Sequence, residues 1–118
     1  MTVLVNARIF DGERAKLIEG RTVYVKDGEI AEISDRPAEP DDGDVVDCGG
    51  RTLMPGLIDA HIHAKAFTAD AHEADTAPES LLAAWAGHML GRMLDRGFAT
   101  VRDAGGADFG LSLALERG

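Results

Sequence analysis

The stretch Leu53-Met-Pro-Gly-Leu-Ile-Asp-Ala-His-Ile-His63 is an apolar run that ends in two histidines separated by one residue. Side chains alternate across a β-strand, so His61 and His63 are expected on the same side, with Asp59 one step earlier in that row. Neutral imidazole is a good ligand for zinc and similar divalent metals. The stretch therefore predicts a strand that ends at part of a metal site. A bare His-x-His is also typical of histidines that bond only to backbone or water.

The residues after this stretch have the spacing of alternating strands and helices. Residues 64–75 show no periodicity and are expected to form a loop. Thr76-Ala-Pro-Glu79 has the spacing of a capping box and predicts a helix that runs to about Arg96. Residues 98–102 then form a second strand and residues 109–117 a second helix. This order predicts an α/β fold with a parallel sheet.

The residues before the stretch have the pattern of β-structure. Alternating residues flank Asp27-Gly28, the dipeptide suited to a two-residue type I′ hairpin. The Pro- and Asp-rich residues 36–44 predict a solvated loop, and residues 45–48 another strand. We expect an antiparallel β-module, either a small sheet or a sandwich. Cys48 lies in the apolar strand and is expected to be a buried, inert thiol.

Composition limits the possible partners and surroundings. Hydrophobic residues make up 45% and charged residues 28% of the chain, as in a folded soluble protein. The net charge of −9 argues against nucleic acid as a partner. No apolar stretch approaches the ~18 residues needed to cross a bilayer, so no membrane association is expected. No signal peptide is recognisable, and a single cysteine suits a reducing compartment; we expect a cytoplasmic protein.

Two motifs carry a family resemblance. The string Pro55-Gly-Leu-Ile-Asp-Ala-His-Ile-His63 resembles the signature of the amidohydrolase superfamily, in which the histidine pair ends the first strand of a (β/α)8 (TIM) barrel. Gly97-Phe-Ala-Thr-Val-Arg-Asp-Ala-Gly-Gly106 is similar to a string of the branch that contains imidazolonepropionase and Xaa-Pro dipeptidases, and favours it over the dihydroorotase and hydantoinase branch. The resemblance implies that residues 1–54 belong to a composite β-sandwich domain. Residues 55–118 would be the first two β/α units of the catalytic barrel.

The resemblance also implies a chemistry. Such enzymes hydrolyse a C–N amide bond with a metal-activated hydroxide, so the implied substrate is a small molecule, either a dipeptide (Xaa-Pro dipeptides included) or a cyclic amide. The implied cofactor is a divalent metal, zinc by preference and binuclear in the complete enzyme, with His61 and His63 as ligands. The family's carboxylated lysine, later histidines and catalytic aspartate follow barrel strands beyond this chain. No catalytic residue is therefore assigned here, since the lysines at 16, 26 and 65 all come too early.

Three further residues are candidates for the site, each with an ordinary alternative. Asp59 and Asp103 are expected to orient a histidine or to face the substrate, but Asp103 is equally suited to cap a helix N-terminus. His72 could serve as a third ligand, although histidines in loops near acids usually have no such role.

The length of the chain leads to two hypotheses. A complete barrel typically needs about 250 residues, whereas the chain has 118. In the first hypothesis the chain is the N-terminal portion of an amidohydrolase, inactive in isolation and completed by a remaining barrel segment or a second chain, in a homo-oligomer. In the alternative it is a catalytically incompetent fragment that acts as an assembly or structural α/β module. Intact mass and metal content of the active material would separate the two.

Overall fold

The computed structural model describes residues 1–118, apart from the side chain of Ala71. The chain divides into two compact units, Met1–Pro55 and Gly56–Gly118. Each unit has its own sheet and its own small hydrophobic core. No helix in the described part of the chain combines the length and apolarity needed to span a membrane.

The first unit is a five-stranded mixed sheet. Its strands are β1 (Thr2–Ile9), β2 (Ile18–Lys26), β3 (Glu29–Ser34), β4 (Asp44–Asp47) and β5 (Thr52–Leu53). They lie in the order β3-β2-β1-β4, with β5 also paired to β1. The three-stranded antiparallel part, β1 to β3, is the portion of the sheet that strand alternation and turn residues predict.

The predicted hairpin is confirmed. Lys26 pairs with Glu29, so Asp27 and Gly28 form a two-residue loop between β2 and β3. Both loop residues have positive φ, 53° for Asp27 and 82° for Gly28, as a type I′ turn requires. Aspartate tolerates this conformation better than most side chains, and glycine adopts it without strain.

The expectation of a wholly antiparallel module is wrong. Strands β4 and β5 both run parallel to β1, with Val3 opposite Val45 and Ile9 opposite Leu53. The loop of residues 35–43 carries the chain back to the starting end of β1, where the Asp44 amide donates to the Met1 carbonyl. Cys48 is half-buried rather than buried, and it packs against the core from the end of β4.

The core of the first unit lies on the central strands. Val3 and Val23 are almost completely buried, and Ala7, Ile9 and Tyr24 are nearly so. Strands β3 and β4 are exposed along most of their length. The sheet therefore has a buried centre and open edges.

The second unit is a β-α-β-α arrangement. It consists of β6 (Leu57–Ile62), α1 (Ala71–Thr76), α2 (Glu79–Asp95), β7 (Phe98–Asp103) and α3 (Phe109–Arg117). Strands β6 and β7 are parallel neighbours, as predicted, with Asp59 opposite Val101. Gly56 lies against Ala99, where a larger side chain would have no room. Gly97, with a φ of 94°, ends α2 and starts the return to β7.

The predicted start of the long helix is wrong in detail. Thr76 does not cap α2; its hydroxyl donates to the His72 carbonyl and ends the short helix α1. Asp70 caps α1 by accepting from the His72 and Glu73 amides, so residues 71–76 are helical rather than part of a loop. Helix α2 begins after Pro78 without a side-chain cap. The capping-box spacing failed because a nearer helix uses the threonine.

The core of the second unit is small. Ile62, Ala64, Ala86 and Met93 form its buried cluster. Many large apolar side chains stay accessible: Ile58, Leu81, Trp85, Leu94, Phe109 and Leu115. Trp85 is 37% exposed and lies near His88.

Candidate metal site

The two histidines lie side by side at the C-terminal end of β6. His61 and His63 are exposed, whereas Ile62 between them is buried, so the alternation of the strand places both rings on the open side. Their ring centroids are 5.3 Å apart and the rings meet edge to face. The placement suits two imidazoles that bind one ion between them. Metal binding by the pair stays a prediction.

The hydrogen bond of His63 determines which ring nitrogen can bind a metal. His63 Nδ1 lies 2.9 Å from the Gly105 carbonyl oxygen. A carbonyl can only accept, so Nδ1 must carry the proton and donate. In the neutral ring Nε2 then keeps its lone pair. This is the arrangement by which metal-binding histidines are commonly oriented, with the second nitrogen bonded to backbone or carboxylate.

Asp59 acts on the backbone of its own strand. Its carboxylate accepts from the His61 amide at 3.1 Å. The bond holds the strand just before the histidine pair. Within the described bonds Asp59 contacts the main chain of His61 and not its ring, so its predicted role toward an imidazole stays a prediction.

Asp103 joins the ends of the two strands. One carboxylate oxygen accepts from the Ala64 amide at 2.7 Å, and the other accepts from the Gly105 amide at 2.8 Å. Burial acts to raise the pKa of Asp103, but the amides of Ala64, Gly105 and Ala107, aided by the nearby His63, outweigh it and lower the pKa. Asp103 does not cap a helix; Asp108 caps α3 instead.

Lys65 completes the surroundings of the pair. Its ammonium lies 3.1 Å from a Glu79 carboxylate oxygen and 3.2 Å from one of Asp108, at the starts of α2 and α3. Its side chain is only 14% exposed. The two carboxylates raise the pKa of Lys65 despite the opposing effect of burial, so the side chain stays charged.

A cavity of about 320 Å³ lies beside His63. Its lining includes Lys65, Leu82, Gly105 and Gly106. The volume is at the lower end of the range of small-molecule sites. The two glycines have no side chain, so main-chain atoms line this part of the cavity.

The other candidate ligands are not brought to the pair. Within the described part of the chain, no group of three or more His, Cys, Asp or Glu side chains is arranged to hold a metal. His72 lies at the start of α1, where its amide bonds to Asp70, and the hypothesis of a His61, His63 and His72 site is not supported. A two-histidine set fits a divalent metal only as part of a larger shell.

Sequence reasoning missed two contributors, Lys65 and the Gly105 carbonyl. Lys65 follows His63 by two residues, and a lone lysine after a strand gives no signal of burial. The Gly105 carbonyl could not be identified because a main-chain carbonyl carries no sequence signature.

Comparisons with known proteins give matches along the chain. No protein-family model matches it. Dihydroorotase of Anaeromyxobacter dehalogenans is 42% identical over 43 residues, 36% of this chain and 10% of the relative. Imidazolonepropionase of Rhizobium rhizogenes is 31% identical over 65 residues, 52% of this chain and 16% of the relative.

Solved structures match over more of the chain. A prolidase complexed with N-methylphosphonate-L-proline is 41% identical, with a TM-score of 0.93, over 99% of this chain and 29% of that one. A protein described as an amidohydrolase is 37% identical, also with a TM-score of 0.93, over 98% of this chain and 28% of that one. The chain thus spans under a third of each match. Within that span the resemblance predicted from the two motifs is confirmed, and the chain is similar in sequence and in fold to the amidohydrolase superfamily.

Proposed function

We propose that the chain is the N-terminal portion of a metal-dependent amidohydrolase that hydrolyses a C–N amide bond. Residues 1–54 would belong to its β-sandwich domain and residues 55–118 would form the first two β/α units of its barrel. The observation that carries the proposal is the side-by-side pair at the end of β6, with Nε2 of His63 free because Nδ1 donates to the Gly105 carbonyl.

In this proposal His61 and His63 hold one divalent metal, zinc by preference, through their imidazoles. The residues fit that role because both rings are exposed on one side of the strand end and the tautomer of His63 is fixed. A bound metal would polarise the amide carbonyl and activate water for attack. The complete enzyme would be binuclear, so the remaining ligands and the proton-transfer group would come from other segments. No residue of this chain is proposed as catalytic.

The residues around the pair would orient it and shape the approach of the substrate. Asp103 and Asp59 hold the main chain on either side of the histidines. Gly105 and Gly106 allow a ligand to approach the backbone closely beside His63. Lys65 is ion-paired with Glu79 and Asp108, so it would hold the loop after His63 rather than bind the substrate directly.

The proposed substrate is a small amide, first of all a dipeptide of Xaa-Pro type. Similarity to a prolidase over 99% of this chain supports this class. The matches to dihydroorotase and imidazolonepropionase support a cyclic amide as the second candidate, but they cover less of the chain.

The open faces of the second unit support completion by further barrel strands. A parallel sheet is normally covered on both faces, yet Ile58 on β6 is 70% exposed. We propose that a remaining barrel segment, in the same polypeptide or in a second chain, covers this face. A homo-oligomer and a cytoplasmic location complete the proposal.

The test uses the native polypeptide that carries this sequence, purified with its metal. We expect it to hydrolyse Xaa-Pro dipeptides or cyclic amides, to lose activity with a chelator, and to regain it with zinc. His61→Ala and His63→Ala should each abolish turnover, whereas His72→Ala should not. The 118-residue chain alone should be inactive.

The alternative function, a catalytically incompetent structural module, is favoured by one observation. The described residues bring together only two of the ligands that a metal needs. Native material of 12.5 kDa without bound metal or turnover would support this alternative and reject the enzyme.

A further inference from the structure

We propose that Asp103 is a positioning residue that fixes the tautomer of His63 by holding the Gly105 carbonyl against the imidazole. The inference rests on the proposed metal role of His63 and adds to it the device that prepares the ring for binding. It concerns a neutral ring and its hydrogen bonds, and it applies to the chain without metal.

The carboxylate of Asp103 bonds to both segments that meet at the hydrogen bond between His63 and Gly105. Its Oδ2 accepts from the amide of Ala64, the residue directly after His63. Its Oδ1 accepts from the amide of Gly105, the residue whose carbonyl accepts from His63 Nδ1. The histidine backbone and the acceptor of its ring proton are thereby tied to one side chain.

The fold holds in place the two segments to which Asp103 bonds. Ala64 is 2% exposed and belongs to the buried cluster of the unit. The Ala104 amide donates to the Ile62 carbonyl at 2.8 Å, so the strands stay paired up to the residues just before His63 and Gly105. A main-chain carbonyl held in this way offers Nδ1 an acceptor only, and the proton must stay on Nδ1.

A carboxylate is required because both of its oxygens accept. An asparagine at this position would have one oxygen acceptor and one NH2 donor, so either the Ala64 or the Gly105 amide would lose its partner. The substitution is nearly isosteric, and it removes one bond without opening a cavity. Asp103→Asn therefore breaks the link between the Ala64 and Gly105 segments while keeping the volume.

The test is nitrogen-15 NMR of the histidine rings in the metal-free 118-residue chain, at a pH where the rings are neutral. In the wild type we expect His63 predominantly protonated on Nδ1, with slowly exchanging Ala64 and Gly105 amides. In Asp103→Asn we expect a mixture of both tautomers. Asp70→Asn is the matched control: it removes the same charge from a carboxylate that also accepts from main-chain amides, those of His72 and Glu73, and should leave the His63 tautomer unchanged.

Each outcome decides the inference. A wild-type His63 that is a mixture, or that is protonated on Nε2, overturns it, as does an unchanged tautomer in Asp103→Asn. Equal loss in Asp103→Asn and Asp70→Asn also overturns it, because the effect would then be general loosening. If Asp103→Asn fails to fold, fast exchange of the Ala64 or Gly105 amide in the wild type still overturns the inference. The proposed function fails separately, when the ring has the expected tautomer but the native polypeptide that carries this sequence binds no metal.

Discussion

The two units of the chain use their apolar residues differently. In Met1–Pro55 the central strands bury Val3 and Val23 almost completely, and the hairpin is closed by its own turn residues. In Gly56–Gly118 two of the four residues of the buried cluster are alanines, while Ile58 and Leu115 are 70% and 65% exposed. The first unit buries its core side chains largely by pairing its own strands. The second unit leaves apolar side chains exposed, and only contact with further protein would bury them.

The strongest test of this difference is truncation of a core valine in the first unit. Val23→Ala removes two methyl groups at a site that is 1% exposed, and should lower the free energy of unfolding by about 2 kcal/mol. The single tyrosine, Tyr24, reports on this unit, and the single tryptophan, Trp85, reports on the other. Denaturant unfolding followed by both signals measures the two effects separately.

The control for that variant is Val45→Ala, the same truncation at an edge position that is 52% exposed. It should change the stability by less than about 0.5 kcal/mol. Equal losses for the two variants would contradict a core confined to the central strands.

A smaller effect is expected at the hairpin turn. Gly28→Val places a β-branched residue at a φ of 82°, and no neighbouring atom lies within 4 Å of the added Cβ. The backbone strain alone should therefore lower the free energy of unfolding by about 1–2 kcal/mol. Glu29→Val, at an exposed strand position, should be nearly neutral. An unchanged melting midpoint of the tyrosine signal in Gly28→Val would reject the turn as a determinant of the first unit.

The loop of the first unit should make its stability depend on pH. Paired hydrogen bonds from Arg36, together with the Glu39 amide, lower the pKa of Asp42 against the opposing effect of burial. A lowered folded-state pKa stabilises above the unfolded value of about 3.9 and ceases to do so as the pH falls through the folded value. Asp42→Asn should therefore be less stable than the wild type at neutral pH, and the difference should shrink in acid.

The neighbouring substitution Asp41→Asn removes the same charge from an exposed position and serves as the control. Stability curves from about pH 6 to about pH 3 would measure the difference. A constant gap between wild type and Asp42→Asn across that range would contradict the role of the ion pair.

The smallest effect is expected on the open face of the second unit. Ile58→Thr in the 118-residue chain should change stability by less than about 0.5 kcal/mol, because the side chain is 70% exposed. Ile62→Thr, at a position that is 7% exposed, should cost about 2 kcal/mol and provides the contrast. A large loss in Ile58→Thr, measured with Trp85, would mean that this face is already covered in the chain as it stands.

The parts of the fold that follow from local chemistry could be predicted from the sequence. Positive φ at Asp27-Gly28 and the glycine at the end of α2 are fixed by residue type, and the parallel β6–β7 pair follows from the helix between them. The direction of β4 could not be predicted in this way. It depends on where a nine-residue loop, residues 35–43, returns the chain, and that point is a tertiary contact with the Met1 carbonyl.

The candidate site divides along the same line. Alternation placed His61 and His63 together because strand geometry has a strict period. The partner of the His63 ring could not be predicted, because it is a main-chain carbonyl 42 residues away. Asp103 was identified, but its bonds to two amides of separate segments depend on the tertiary pairing of β6 and β7.

Zinc titration of the 118-residue chain, followed by the ring signals of all four histidines, measures whether the strand end binds metal. We predict that the signals of His61 and His63 shift together, but only at high zinc concentration because two histidines form only part of a metal shell, and that His72 and His88 do not follow. Either His61→Ala or His63→Ala should remove the effect, and His72→Ala should leave it. Shifts at His72 or His88 at the same or lower zinc concentration, or no shift at the pair, would contradict the metal site.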